Sequence, residues 1–144
     1  MALLQKGASI FSSRLPKVLG PRVHAVADYS VAALLFGAGV LFWRNHRSAS
    51  LSALLCGSGV LLNSLCTDYP GGVVREMSFE NHGRIDAGLA GLTAAMPGLM
   101  GFSGEPQARF FEATALAETL AAGFTDYHGE PEGEVLELAP ERTA

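Results

Sequence analysis

The chain has 144 residues, a length that suits a single domain. Only 17% of the residues are charged and 49% are hydrophobic, so the composition argues against an ordinary soluble domain. The net charge of −4 averages a basic beginning with an acidic end, and it therefore indicates no nucleic-acid partner. The two cysteines, Cys56 and Cys66, are about 15 Å apart if their segment is a helix, which is too far for a disulfide.

Residues 1–22 form a basic N-terminal segment without an acidic residue. Apolar side chains are interspersed there with basic and serine residues, a pattern typical of an amphipathic helix lying in the membrane interface. An acid-free start rich in serine and arginine is also typical of an organelle transit peptide. Both interpretations of residues 1–20 stay open. At the other end, residues 129–144 contain five glutamates and are predicted to form an acidic, disordered tail.

Four apolar segments lie between these ends, each near the roughly 20 residues that a helix needs to cross a bilayer. They span residues 23–43, 49–66, 83–102 and 107–124. Alternation of apolar and polar residues is absent and Ala, Leu and Gly dominate, which favours helices over strands. Ser48 and Asn81 are predicted to cap the second and third helices.

A soluble four-helix bundle is the alternative to a membrane protein. It would need an exposed polar face on every helix, and the first three segments offer none. The fourth segment is the least apolar because it carries Glu112 and Glu118. In a membrane those two carboxylates would have to face the bundle interior or a partner.

A set of polar residues recurs in the sequence after 58 residues. The recurring residues are His24 and Asp28 with His82 and Asp86, and Thr67-Asp68-Tyr69 with Thr125-Asp126-Tyr127. This register predicts a duplicated two-helix unit, with repeats at residues 23–69 and 82–128 and a cytoplasmic loop at residues 70–81. Each unit has two helices, so both units enter the membrane from the same side and the repeats are parallel.

The distribution of positive charge gives the orientation. With the N-terminus inside, seven Lys and Arg residues fall on the inner side and three in the outer loops. This asymmetry predicts a multi-pass protein of the plasma (inner) membrane with both termini in the cytoplasm. The predicted fold class is all-α: a four-helix transmembrane bundle made of two tandem, parallel two-helix repeats.

This topology gathers the repeated polar residues at one membrane face. The predicted cluster contains His24, Asp28, Asp68, Tyr69, His82, Asp86, Asp126 and Tyr127. Within it, Asp28 and Asp86 lie about one turn inside their apolar segments. A carboxylate inside a membrane is a candidate functional residue by default.

Three interpretations of this cluster compete. The first is structural: His, Asp, Tyr and Thr side chains form a hydrogen-bonded clasp that locks the helix ends. The second is a ligand site, in which His24, His82, Asp28 and Asp86 bind a divalent metal, or the two histidines hold a haem. The third is proton or ion handling through Asp28 and Asp86.

The segment Thr67–Met77 (TDYPGGVVREM), followed by His82-x-x-x-Asp86, resembles the Ser-Pro-Trp (SPW) repeat family of small bacterial integral membrane proteins. The similarity covers about residues 22–127. It implies a small, helical, duplicated membrane protein and no defined activity. The signature itself is eroded: the chain has Met96-Pro97-Gly98 in the second unit and Ala38-Gly39-Val40 in the first.

The sequence contains no recognisable catalytic motif and specifies no particular cofactor. The first functional hypothesis is therefore a non-enzymatic membrane protein, a structural or accessory subunit whose partners are the bilayer and a membrane protein or a second copy. The alternatives are a haem- or metal-binding membrane module that uses the His/Asp pairs, and ion or proton handling through the intramembrane Asp residues.

Overall fold

The computed structural model describes residues 16–128. In this part of the chain the fold is all-helical, as predicted, with α1 at Pro21–Phe42, α2 at Arg47–Cys66, α3 at Phe79–Leu99 and α4 at Ala108–Phe124. The acidic tail predicted at residues 129–144 lies outside the described residues. So does the interfacial helix predicted for residues 1–20, except for its last five residues, which precede α1.

Two of the helices, α2 and α3, begin after a residue whose side chain accepts from a backbone N–H group of the first turn. Pro21 occupies the first turn of α1, where its missing N–H costs nothing. The Nδ1 atom of His46 accepts a hydrogen bond from the N–H of Ala49 at 3.2 Å and caps α2. The prediction that Ser48 caps this helix is therefore wrong, because Ser48 lies within the first turn of α2.

The start of α3 also differs from the prediction. The Ser78 hydroxyl accepts a hydrogen bond from the N–H of Asn81 at 3.3 Å, so Ser78 caps the helix and Asn81 does not. The helix starts at Phe79, inside the loop predicted for residues 70–81. The physical reason is that the Phe79 ring is buried against the bundle, which draws the first turn into the fold.

Each helix packs against its neighbours in the chain, and α1 also contacts α4, so the four helices close into a bundle. Small residues allow a close approach of α1 and α2. A Cβ atom on Gly39 would lie 2.6 Å from Leu54, and one on Gly57 would lie 3.1 Å from the Leu35 Cβ. The Ser50 hydroxyl donates across the same contact to the Gly39 carbonyl at 2.5 Å.

Short extended segments tie the helix ends together at one end of the bundle. After α2, the N–H of Asp68 donates to the Met77 carbonyl at 2.8 Å, and Thr67 forms an isolated bridge with Met77. After α4, the N–H of Asp126 donates to the Leu19 carbonyl at 3.0 Å, next to a bridge between Leu19 and Thr125. The second set of contacts repeats the first, because each segment that follows a helix pairs with the segment that precedes α1 or α3.

Gly72 is required by the turn that follows α2. A Cβ atom on this residue would overlap the backbone carbonyl oxygen of Thr67. We expect Gly72→Ala to lower the free energy of unfolding by about 2 kcal/mol, since the backbone itself must shift. Gly104→Ala is the matched control because its Cβ would meet open space. Thermal unfolding in detergent compares the two variants, and equal melting temperatures would contradict the expectation.

The outer surface of the first hairpin, α1 and α2, is strongly apolar. In the described part of the chain, α1 and α2 are the helices long and apolar enough to cross a membrane, with mean hydropathies of 1.8 and 1.6. Only 33% of the most apolar stretch of α1 is buried within the protein. Large apolar side chains such as Val40 and Leu41 are 73% and 75% exposed.

Candidate metal centre

Two histidines and two aspartates meet between α1 and α3, and they form what we call the His/Asp cluster: His24, Asp28, His82 and Asp86. Each helix supplies one His and, four residues later, one Asp, so that both side chains lie on the same helix face. His24, Asp28 and His82 are buried and Asp86 is nearly so. The structure thus brings together four of the eight residues in the predicted cluster as one compact group.

The polar atoms of the His/Asp cluster point at one another. The Nε2 atoms of the two histidines are 3.0 Å apart. The Nε2 atom of His82 lies 3.1 Å from Asp28 Oδ2 and 2.9 Å from Asp86 Oδ2. The Nε2 atom of His24 lies 3.0 Å from Asp86 Oδ2 and 3.4 Å from Asp28 Oδ1.

Thr67 determines which nitrogen of His82 carries the proton. The Thr67 hydroxyl lies 2.6 Å from the Asn63 carbonyl, to which it donates its single proton. The same hydroxyl oxygen lies 2.8 Å from His82 Nδ1. Since the hydroxyl has no second proton to give, its oxygen must accept one from Nδ1. Nδ1 of His82 therefore carries a proton; Nε2, which faces the cluster, has a lone pair in the neutral imidazole and donates a proton in the imidazolium.

His24 is held in the same way by Thr125. The Thr125 hydroxyl donates to the Ala121 carbonyl at 2.6 Å and lies 2.7 Å from His24 Nδ1. The same counting of protons assigns the Nδ1–H form to His24. Two Nε2 atoms and two carboxylates therefore converge, and with both histidines neutral this arrangement is electrostatically unfavourable unless a cation or added protons lie among them.

Hydrogen-bond donors orient both carboxylates. The Tyr69 hydroxyl lies 3.0 Å from Asp28 Oδ2, and the Tyr127 hydroxyl lies 3.4 Å from Asp86 Oδ2. The Asn63 amide donates to Asp86 Oδ1 at 2.8 Å. Burial, together with the neighbouring carboxylates, holds the pKa of both tyrosines well above its usual range, so their hydroxyls keep the proton that they donate.

Aromatic rings cover the cluster at the end of the bundle where α2 and α4 end. The Phe79 ring centroid lies 5.4 Å from that of His24 and 4.8 Å from that of Tyr127. The Tyr69 ring lies 5.2 Å from the His82 ring. These rings exclude water from the cluster and strengthen the electrostatic interactions inside it.

The other two aspartates of the predicted cluster lie apart from it. The Asp68 side chain is exposed and makes none of the hydrogen bonds described above. Asp126 Oδ1 accepts a hydrogen bond from the backbone N–H of His128 at 3.0 Å, which is a local turn contact. His128 itself is exposed. Asp68 and Asp126 thus recur 58 residues apart like the cluster residues, but their side chains do not contact the cluster.

The four donor atoms have the spacing of a ligand set for a small cation. The contacts that each Nε2 atom makes with the other donor atoms range from 2.9 to 3.4 Å. A tetrahedral zinc ion with bonds of about 2.0–2.1 Å keeps its ligand atoms ~3.3 Å apart. All four ligand atoms lie within 4.8 Å of one another, so a bound metal ion would draw the wider pairs together and move the closest pairs slightly apart.

Haem does not suit the same residues. A haem held by two histidines must place its flat macrocycle between the two Nε2 atoms. Here these atoms are 3.0 Å apart, and the Asp28 and Asp86 carboxylates each lie within 3.4 Å of both of them. The geometry therefore favours a single metal ion over haem.

Comparisons with protein-family models, with curated proteins and with solved structures find no match for this chain.

Proposed function

We propose that this chain is an integral membrane protein of four transmembrane helices that binds one divalent transition-metal ion at the His/Asp cluster. The observation that carries the proposal is the convergence of two imidazole Nε2 atoms with two carboxylates, while both Nδ1 atoms are held by threonine hydroxyls. Two nitrogen and two oxygen donors form a ligand set that suits Zn²⁺, Fe²⁺ or Mn²⁺. The threonine hydroxyls that accept from the histidines and the tyrosine hydroxyls that donate to the aspartates are the outer-sphere partners that such ligands usually have.

The exposed apolar surface supports the membrane part of the proposal. Side chains on α1 and α2 would leave a large apolar area in water, whereas lipid would cover it at no cost. The four ligands come from α1 and α3, so the two helices are in direct contact through these side chains. If α1 crosses the bilayer, the second hairpin, α3 and α4, must therefore lie in the bilayer beside it. The excess of positive charge on one side supports an orientation with both termini in the cytoplasm.

We further propose that the fold arose by duplication of one helical hairpin. Each half supplies one His and one Asp to the His/Asp cluster, together with one Tyr and one Thr that hydrogen-bond to it, at positions 58 residues apart. The paired contacts of His24 with Thr125 and of His82 with Thr67 follow this register. A relation to the SPW repeat family fits the same duplication.

In this proposal the ion is a cross-link between the two hairpins. Such a chain serves as a structural or accessory membrane component, and no catalytic reaction is assigned to it. Asp28 and Asp86 act as metal ligands in this proposal. A carboxylate bound to a metal ion is not free to carry protons, so the proposal does not include proton movement through these residues.

Metal content of protein purified from membranes tests the proposal. One aliquot of membranes is washed with alkaline carbonate, and the other is solubilised in mild detergent for elemental analysis. We expect the chain to stay in the washed membranes and to contain one divalent metal ion per chain. Release by carbonate would contradict the membrane proposal, and absence of stoichiometric metal would contradict the metal site.

A pair of matched variants localises the metal. Asp28→Asn removes a ligand charge and is expected to reduce the bound metal to a small fraction of one ion per chain. Asp68→Asn changes the neighbouring exposed aspartate and is expected to leave the metal content unchanged. Equal metal loss in both variants would contradict the assignment of Asp28 as a ligand.

Removal of the threonine hydroxyls tests the assigned protonation of the histidines. Thr67→Val deletes the acceptor for His82 Nδ1–H, and we expect it to weaken Zn²⁺ binding by about 10–100-fold. Thr125→Val should have a similar effect through His24. Thr119→Val, on the helix that ends just before Thr125, is the control, because the Thr119 hydroxyl donates to the Ala115 carbonyl and not to a histidine. Calorimetric titration with Zn²⁺ measures all three, and wild-type affinity in both Thr67→Val and Thr125→Val would contradict the assignment.

A further inference from the structure

A second polar group lies deeper in the bundle, near the middle of α3 and α4. Both carboxylate oxygens of Glu118 are buried, and neither has a hydrogen-bond partner among residues 16–128. The buried Thr93 hydroxyl likewise has no partner in that range. Thr93 and the buried thiol of Cys56 are polar neighbours of the Glu118 carboxyl. Among residues 16–128, the Glu118 carboxyl therefore has Thr93 as a polar neighbour but makes no hydrogen bond of normal length to another helix.

This group is separate from the His/Asp cluster. Thr93 follows Asp86 by seven residues on α3, which places it about 10 Å further along the helix. In the described part of the chain, no hydrogen bond or ion pair joins Glu118 to a cluster residue. The charged side chains that act on Glu118 are Asp28 and Asp86, and both are acidic. Neither would stabilise a negative charge on Glu118.

The first hairpin shows that the fold can do without a polar pair at this place. The residues 58 positions before Thr93 and Glu118 are Leu35 and Val60. Both belong to the hydrophobic core, with exposed fractions of 0% and 5%. Apolar side chains therefore fill the corresponding place in the first hairpin, and packing does not explain a carboxyl group in the second.

We propose that Glu118 is a proton-binding site inside the bundle, which holds an exchangeable proton as a neutral carboxylic acid. An unpartnered carboxylate in an apolar interior carries a large desolvation cost, and binding a proton removes that cost. The protonated carboxyl is a donor, and the neighbouring Thr93 hydroxyl is able to accept from it. The Glu118 carboxyl thus binds and releases a proton inside the bundle. This proton binding does not depend on a metal ion at the His/Asp cluster.

Infrared difference spectroscopy of the full chain in detergent or lipid tests the site. We expect a carbonyl stretching band of a protonated carboxyl in the wild type and its loss in Glu118→Gln. Glu112→Gln is the matched control, because Glu112 is an exposed glutamate on the same helix, and the band should persist in it. Transfer to D₂O should shift the band to lower frequency. A wild-type band that survives in Glu118→Gln, or the absence of any such band, would overturn the proposal, and a band that does not shift in D₂O would overturn the exchange of the proton.

A second measurement separates proton binding from a structural role. The double variant Thr93→Leu/Glu118→Val installs the residues found in the first hairpin. We expect its melting temperature to equal or exceed that of the wild type, and its Zn²⁺ affinity to be unchanged because every cluster residue is kept. A lower melting temperature would show that the polar pair supports the fold, and it would contradict the proposal independently of the outcome at the metal site.

Discussion

Replacing His82 with glutamine is expected to weaken Zn²⁺ binding by at least about 100-fold, since loss of an outer-sphere partner alone costs 10–100-fold. His82 contributes the Nε2 atom that contacts both Asp28 and Asp86, at 3.1 and 2.9 Å. Glutamine keeps a side chain of similar length but offers an amide oxygen in place of the imidazole lone pair. Calorimetric titration of the metal-free protein with Zn²⁺ gives the dissociation constant.

Two further variants make this result interpretable. His128→Gln changes an exposed histidine outside the cluster and should bind Zn²⁺ like the wild type. His24→Gln removes the other imidazole ligand, and it should lose affinity to a similar degree because His24 makes the corresponding contacts. Helical circular dichroism checks the fold of each variant. A folded His82→Gln or His24→Gln variant with wild-type affinity would contradict the metal site.

Addition of Zn²⁺ to the metal-free protein is expected to raise the free energy of unfolding by about 2.7 kcal/mol at a free concentration 100 times the dissociation constant. The ligands come from α1 and α3, so the ion links the two hairpins and must be released when they separate. We expect an increase of several degrees in the melting temperature in detergent. A chelator should reverse it fully.

The stabilisation should require the cluster itself. In the double variant His24→Gln/His82→Gln, the same Zn²⁺ concentration should leave the melting temperature unchanged. An equal increase in wild type and double variant would indicate binding elsewhere on the chain. If Zn²⁺ did not stabilise the wild type either, the contacts of the cluster would be a clasp held by protons and hydrogen bonds alone.

Much of the site could be predicted from the sequence because its residues recur. The register of 58 residues singled out His24 with His82 and Asp28 with Asp86, and the structure places all four together. The register could not show that Tyr69 contacts the cluster and that Asp68 does not, since both residues recur after 58 residues. The chain bends at Asp68 and Tyr69, where the N–H of Tyr69 donates to the Thr67 carbonyl at 3.1 Å, and the bend turns the two side chains to different sides. Tyr69 therefore reaches Asp28, while Asp68 points to the surface.

Residues without a counterpart were missed. Asn63 donates to Asp86, but the residue 58 positions later is Ala121. Phe79 packs on His24, but the corresponding earlier residue is Pro21. A signal for Phe79 did exist, since a large aromatic residue three positions before His82 lies on the same helix face.

The protonation of the histidines could not be read from the sequence at all. It depends on Thr67 and Thr125 donating to the backbone of their own helices, and these contacts follow from the exact ends of α2 and α4. Boundaries of this kind are the least predictable part of a helix, as the caps of α2 and α3 also show. In the sequence, Glu118 stood out only as a charge in an apolar segment. That it has no hydrogen-bond partner among residues 16–128 could be seen only in the packed bundle.

X-ray absorption spectroscopy at the Zn edge of the zinc-loaded full chain tests the metal site most directly. We predict one zinc ion per chain with four nitrogen or oxygen ligands at about 2.0–2.1 Å, and with the outer-shell scattering of two imidazole rings. In His82→Gln loaded at the same Zn²⁺ concentration, the scattering of two rings should be lost. A first shell containing sulfur, a shell without imidazole scattering, or the absence of stoichiometric zinc would contradict a site built from His24, Asp28, His82 and Asp86.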